Sequence, residues 1–131
     1  MAGGKVAALV ELDSNFLVGA RKAGSKEASR IENWLAAGLV IQVSAIAWSE
    51  YRCGPLTDGE IEITRIFITR IEPFTEDDAE LAGALFQQTG RRSRSHADCM
   101  IAAHAIRREA GFATLNVQDF RPFEKLGLTL V

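Results

Sequence analysis

The chain has 131 residues, enough for one domain with a real hydrophobic core. Its 47% hydrophobic and 24% charged residues describe an ordinary globular protein, and a net charge of -2 excludes an overall basic field, so any nucleic-acid contact has to be local. No apolar run is long enough to cross a bilayer, MAGGKVAALVELD lacks the core of a signal peptide, and Cys53 and Cys99 lack CxxC spacing, which speaks against a disulfide or zinc site and fits a cytoplasmic protein.

Residues 1–131 carry no linker, repeat or low-complexity segment, so a single domain is expected. Lys5 to Leu12 reads as a strand and Asn15 to Arg21 as a short helix. Lys26 to Ala37 reads as a helix with Ile31, Trp34 and Leu35 on one face, stopped by Gly38. Leu39 to Ser44 is β-branched and strand-like. Ala45 to Arg52 reads as a helix broken by Cys53-Gly54-Pro55. Thr57-x-x-Glu60 and Thr75-x-x-Asp78 have the capping-box form and open helices to about Ile68 and Gln88, with a short strand from Thr69 to Pro73 between them. Gly90 to Ser95 is a basic loop. His96 to Ala110 reads as a helix ended by Gly111, and Phe112 to Leu115 and Leu128 to Val131 as strands. This alternation implies a mostly parallel sheet with both faces covered.

Four acids fall where that pattern has chemical consequences. Asp13 follows the first strand directly; it suits a helix N-cap, and also the strand tip where open α/β sheets place their ligands. Glu50 lies one turn beyond Ile46 and Ala47, so helical spacing points it along the packed side. Asp98 shares a stripe with Ile101, Ala102 and Ala105, although Ser95-x-x-Asp98 also reads as a capping-box variant. Asn116 and Asp119 follow a late strand, where a turn with local hydrogen bonds is the plainer reading. In a parallel sheet all these points share one edge. Carboxylates gathered there repel and raise one another's pKa, a conflict that a divalent cation resolves. Oxygen donors without a His or Cys cluster suit Mg²⁺ or Mn²⁺.

The motifs LDSNFLV, SEYRCG, ADCMIAAHA and TLNVQDF, in that order, resemble the PIN-domain family, most of all the VapC-type ribonuclease toxins of prokaryotic toxin–antitoxin pairs. The resemblance implies a three-layer α/β/α PIN-like fold with a mostly parallel central sheet. It implies a Mg²⁺- or Mn²⁺-dependent endoribonuclease in which Asp13, Glu50, Asp98 and Asp119 serve as catalytic and metal-binding acids, with Ser14, Asn15 and Asn116 as supporting polar residues. Water activated by the metal attacks the RNA phosphodiester, and the 3′ oxygen leaves. A VapB-like antitoxin, a tRNA or rRNA substrate and a homodimer are further expectations. Ser14 stands where Thr is commoner, Leu115 where Arg is frequent, and Glu11 in a usually apolar place on the face of Asp13, within reach of a base such as Lys5.

Arg91, Arg92 and Arg94 precede the Asp98 helix and are candidate RNA-phosphate contacts, or simply a solvated loop. Arg107 and Arg108 read as complements to a helix dipole. Trp34, Trp48 and Tyr51 suit core or dimer packing better than base stacking. The helices from Asn15 to Ala37 and Thr57 to Ile68 are candidate walls of an antitoxin groove, the second being apolar on more than one side through Ile61, Ile63, Ile66, Phe67 and Ile68. The alternative of another class is a catalytically inactive PIN-like scaffold that binds protein or RNA; four occupied acidic positions argue against it. An Asp-nucleophile phosphatase needs a second Asp where Asn15 stands. A phospho-receiver needs a Lys in the late strand segment Phe112 to Asn116, and a P-loop is absent.

Overall fold

A computed structural model of the chain describes residues 8–90 and 95–131. Strand β1 (Leu9–Leu12) leads into α1 (Ser14–Ala20) and α2 (Lys26–Ala36). Strand β2 (Val40–Ser44) leads into α3 (Ala45–Arg52) and α4 (Asp58–Phe67). Strand β3 (Arg70–Glu72) precedes α5 (Glu76–Gln88) and α6 (His96–Arg107). Strand β4 (Gly111–Ala113) precedes α7 (Val117–Phe120) and a 3₁₀ segment (Arg121–Leu126), and β5 (Thr129–Leu130) follows.

The five strands pair in parallel in the order β3-β2-β1-β4-β5. Right-handed crossovers then place α1 to α4 on one face and α5 and α6 on the other, which gives the expected three layers. Alternation along β1 sends Val10 and Leu12 to one face and Glu11 to the other. The contact of Glu11 with His104 fixes α6 on that second face. Val10, Leu12, Phe16, Leu17, Ile31 and Ile41 are buried in the core, as are Leu85, Ile101, Phe112, Phe120 and Phe123. Helix α6 buries Cys99, Ile101, Ala102, Ala103, His104 and Ala105, so it is enclosed on nearly every side, and its small residues let it approach the sheet and α5 closely.

Local chemistry sets most boundaries as the sequence predicts. Thr57 with Glu60 and Thr75 with Asp78 form reciprocal capping boxes. Gly38, at φ 83°, closes α2 while the Leu39 N–H bonds the Trp34 carbonyl.

The C-terminal third differs. Helix α6 stops at Arg107 rather than Ala110. Glu109 takes the left-handed conformation, φ 53°, and the Glu109 and Ala110 N–H groups bond the Ile106 and Ala105 carbonyls. Glu109 therefore does what Gly111 was expected to do, and Gly111 instead opens β4, paired with Val10 and Thr129. The stretch holding Asn116 and Asp119, whose plainer reading is a turn, instead leads into helix α7, and the 3₁₀ segment continues it to Leu126. Arg107 and Arg108 do more than complement a dipole: both bond Asp78 Oδ1 at 2.8 Å and tie α6 to the start of α5. Trp34 stacks on Phe16, and Trp48 packs against Tyr51. Among the described residues no helix is long and apolar enough to cross a membrane.

Candidate active site

The chain leaves β1 toward β2 but leaves β4 toward β5, so the order of winding reverses between β1 and β4. Parallel sheets leave a crevice outside the carboxyl ends of their strands at such a point. Asp13 is the first residue past β1 there and is only 4% exposed. Its N–H continues the ladder to the Ala113 carbonyl at 2.9 Å. Its Oδ1 accepts from the Ser14 N–H at 2.8 Å, which caps α1, and its Oδ2 accepts from the Thr114 hydroxyl at 2.7 Å. The capping role and the strand-tip role are thus filled by different oxygens of one carboxylate.

The neighbouring polar groups brace this corner. Ser14 Oγ donates to Glu50 Oε1 at 3.1 Å, joining α1 to α3. Asn15 Oδ1 accepts from the Leu115 N–H at 3.0 Å, joining α1 to the segment after β4. Thr114 Oγ1 also accepts from the Asn116 N–H at 3.0 Å, and Asn116 in turn precedes α7, which carries Asp119. Asp98 sits in the first turn of α6. Asp98 and Asp119 line a cleft of about 500 Å³ together with Thr89, Ser95, Gln118 and Phe123.

The acids feel one another. Burial raises Asp13 above the usual carboxylate range; the Thr114 and Ser14 hydrogen bonds oppose this, and the charges of Glu50 and Asp119 reinforce it. Asp98 is pushed up to about 6, first by burial and then by the charges of Asp13, Asp119 and Glu50. All four acids predicted from the sequence therefore share one electrostatic site. Among the described residues no three His, Cys, Asp or Glu side chains form a ready-made metal cage. The donor chemistry nonetheless fits a hard divalent cation: carboxylate oxygens alone meet here, and their mutual charge is uncompensated by any Lys or Arg ion pair to Asp13 or Asp98 among the described residues.

Some expectations change. Glu50 is exposed, not packed. Helix α3 buries only Ala47 and Tyr51, and Glu50 stands on its flank at the open edge of the sheet, where Ser14 reaches it. Ser95 makes no side-chain cap, so the capping-box reading of Asp98 fails; the Ser95 hydroxyl serves the Cys99 thiol instead. Glu11 pairs with His104 and Gln42. Lys5, Arg91, Arg92 and Arg94 lie outside the described residues. Sequence reasoning assigned no role to Thr114 or Gln118, although both lie in the TLNVQDF motif.

An open parallel α/β sheet with an acidic cleft at its winding reversal defines the class of the protein. A family model for the PIN domain matches residues 10–126, a span that includes all four acids, and the chain belongs to the PIN-domain family. Solved structures share the fold. A chain in VapBC2 from Rickettsia felis, bound to a DNA fragment from their promoter, is 22% identical with a TM-score of 0.72, covering 94% of this chain and 97% of that one. A chain of a toxin–antitoxin complex from Klebsiella pneumoniae is 26% identical with a TM-score of 0.64, covering 86% and 90%. VapC20 of Mycobacterium tuberculosis, a sarcin–ricin loop cleaving toxin, is 21% identical with a TM-score of 0.63, covering 93% and 98%. No curated protein matches the chain.

Proposed function

We propose that the protein is a VapC-type toxin, a Mg²⁺- or Mn²⁺-dependent endoribonuclease acting in the cytoplasm. The observation that carries this reading is Asp98: a carboxylate in the cleft pushed up to about 6 by burial and by the charges of Asp13, Asp119 and Glu50. Such a group is poorly accommodated by the protein alone and well accommodated beside a dication. Asp13, Asp98, Glu50 and Asp119 would hold the ion. When bound, it supplies charge neutralisation at the phosphate and a water of lowered pKa.

The chain's own residues then have distinct tasks. Thr114 and the Ser14 N–H fix both oxygens of Asp13, so this acid has one orientation. The Ser14 hydroxyl occupies Oε1 of the exposed Glu50, which leaves Oε2 to accept a hydrogen bond from the attacking water. Asn15 holds the segment after β4 against α1, and the Asn116 N–H ties that segment to Thr114 just ahead of the helix that carries Asp119. In the reaction the water oxygen bonds to phosphorus, the bond to the 3′ oxygen breaks, and the proton lost by the water ends on that oxygen. The products are a 5′ phosphate and a 3′ hydroxyl. Arg91, Arg92 and Arg94, close in sequence to Asp98, are proposed phosphate contacts with salt-sensitive affinity.

A VapB-like antitoxin is the proposed partner. Val18 of α1, Leu35 of α2, and Ile63 and Ile66 of α4 are large apolar side chains left in water, the last 83% exposed. That concentration on the α1–α4 layer fits a partner's amphipathic helix. Solved structures similar to the chain include chains of toxin–antitoxin complexes, and a homodimer is proposed by family analogy alone.

The deciding experiment is cleavage of a mixed tRNA and rRNA pool by the purified protein, with Mn²⁺ or Mg²⁺ against EDTA, beside Asp98→Asn. Discrete metal-dependent products, lost in the variant, are expected. Folded, antitoxin-free protein that neither cleaves nor binds Mn²⁺ would be an inactive PIN-like scaffold.

A further inference from the structure

Glu11 is the acid the proposed chemistry does not use. It lies in the middle of β1, fully buried, in a place that packing would fill with an apolar residue. Its Oε1 accepts from Gln42 Nε2 at 2.7 Å and meets His104 Nδ1 at 2.7 Å. His104, also fully buried, donates through Nε2 to the Pro73 carbonyl at 3.1 Å. Gln42 Oε1 accepts from Arg70 Nε at 2.9 Å. One network thus joins β1, β2, β3, the segment leading to α5, and α6. It is not the cheapest core the fold could have: Glu11 Oε2 has no partner among the described residues. Replacing a buried pair by apolar residues of similar volume is often neutral or stabilising, so stability alone does not explain it.

Its place relative to the acids does. Asp13, just past β1 but still extended and hydrogen-bonded to β4, lies two residues beyond Glu11, roughly 7 Å further along the strand direction. Asp98 lies six residues before His104 in α6, roughly 9 Å along the helix. The helix runs opposite to the strand. The two elements therefore meet at two levels, an attractive one at Glu11–His104 and a repulsive one at Asp13 and Asp98. We propose that the Glu11–His104 pair is a positioning device, a clamp that holds β1 against α6 and so keeps Asp13 and Asp98 together against their mutual repulsion. This deepens the nuclease reading and rests on it for its purpose, but the clamp itself is a property of the metal-free protein.

The test is a thermodynamic cycle on the full chain in EDTA at pH 7.5, crossing Glu11→Leu/His104→Leu with Asp98→Asn and reading urea unfolding. In the parent, Asp98→Asn relieves repulsion and lowers the unfolding constant about tenfold. Without the clamp the acids have already moved apart, so the same substitution lowers it less than threefold. A change of threefold or more in the clamp-free protein, or no stabilisation in the parent, overturns the proposal. A purely structural pair would leave the two effects additive. Should the double Leu variant not fold, Glu11→Gln carries the same cycle. Mn²⁺ titration adds a second reading: removing the clamp weakens binding at least fivefold with the circular dichroism of a folded chain retained, and unchanged affinity counts against the clamp. If the parent itself binds no Mn²⁺, the nuclease reading fails, and the metal-free cycle still judges the pair.

Discussion

Asp98→Asn should stabilise the metal-free protein while abolishing its chemistry. In the folded chain Asp98 holds its proton up to about pH 6, whereas the unfolded chain releases it near 3.8. Between these values the folded state binds more protons than the unfolded one, so stability falls as pH rises, and the penalty is complete above pH 6. Unscreened, a displacement from 3.8 to about 6 corresponds to about 3 kcal/mol. Asp98 is only half-buried, so solvent screens a good part of this and ~1.5 kcal/mol remains. For a chain of this size that is about 5 °C in Tm. The assay is thermal unfolding followed by circular dichroism in EDTA, at pH 7.5 and again at pH 4. The variant should melt higher at pH 7.5 and nearly level with the parent at pH 4. Adding Mn²⁺ should raise the Tm of the parent and leave the variant unmoved. Equal melting at pH 7.5, or a gain independent of pH, would refute the claim that the acids oppose one another in this cleft.

Other perturbations test other parts of the molecule. Burial alone would raise Asp78, but Arg108, the Thr75 N–H and Arg107 outweigh it and hold the carboxyl well below its usual range. Asp78→Ala should therefore lower stability at pH 7 by about 3 kcal/mol in urea titrations, leaving two arginines without their partner. The contribution is present above pH 4 and fades as pH falls further, so the difference from the parent should shrink in acid. Thr114→Val removes the donor to Asp13 Oδ2 and should weaken Mn²⁺ binding roughly tenfold by calorimetry with the fold intact. Ile66→Glu should abolish antitoxin binding in a pull-down with the purified partner while RNA cleavage persists; retained binding would move the partner's groove elsewhere.

The strand and helix order was legible because each element carries its own signal: β-branched runs in β2, reciprocal caps before α4 and α5, a glycine after α2. The acids were legible for a different reason. Asp13 and Asp98 interrupt apolar patterns, and an interruption is visible without knowing the fold. Glu50 was found by that logic but misplaced by it, because spacing along a short helix does not tell which flank faces an open sheet edge. The stop at Glu109 was hidden, since a left-handed non-glycine residue leaves no mark in the sequence. The stretch from Asn116 to Asp119 looks like a turn, and its helical form goes with Phe120 packing on Phe112 and Phe123 packing on Phe120. The Glu11–His104 contact spans 93 positions, and only folding brings those two residues together.

The hydrogen bond between Thr114 and Asp13 closes a separation of 101 residues, and β4, which carries Thr114 to that place, is inserted beside the first strand in the middle of the sheet. The strand that covers one side of central β1 is thus supplied only late in synthesis. A nascent or truncated chain holding β1, β2 and β3 has most of the helices but only part of the cleft. Because such distant pairing is slow to form, the corner that holds Asp13 arrives late both in synthesis and in folding. For a protein proposed to attack RNA, translation must be finished before the product of translation can act against it.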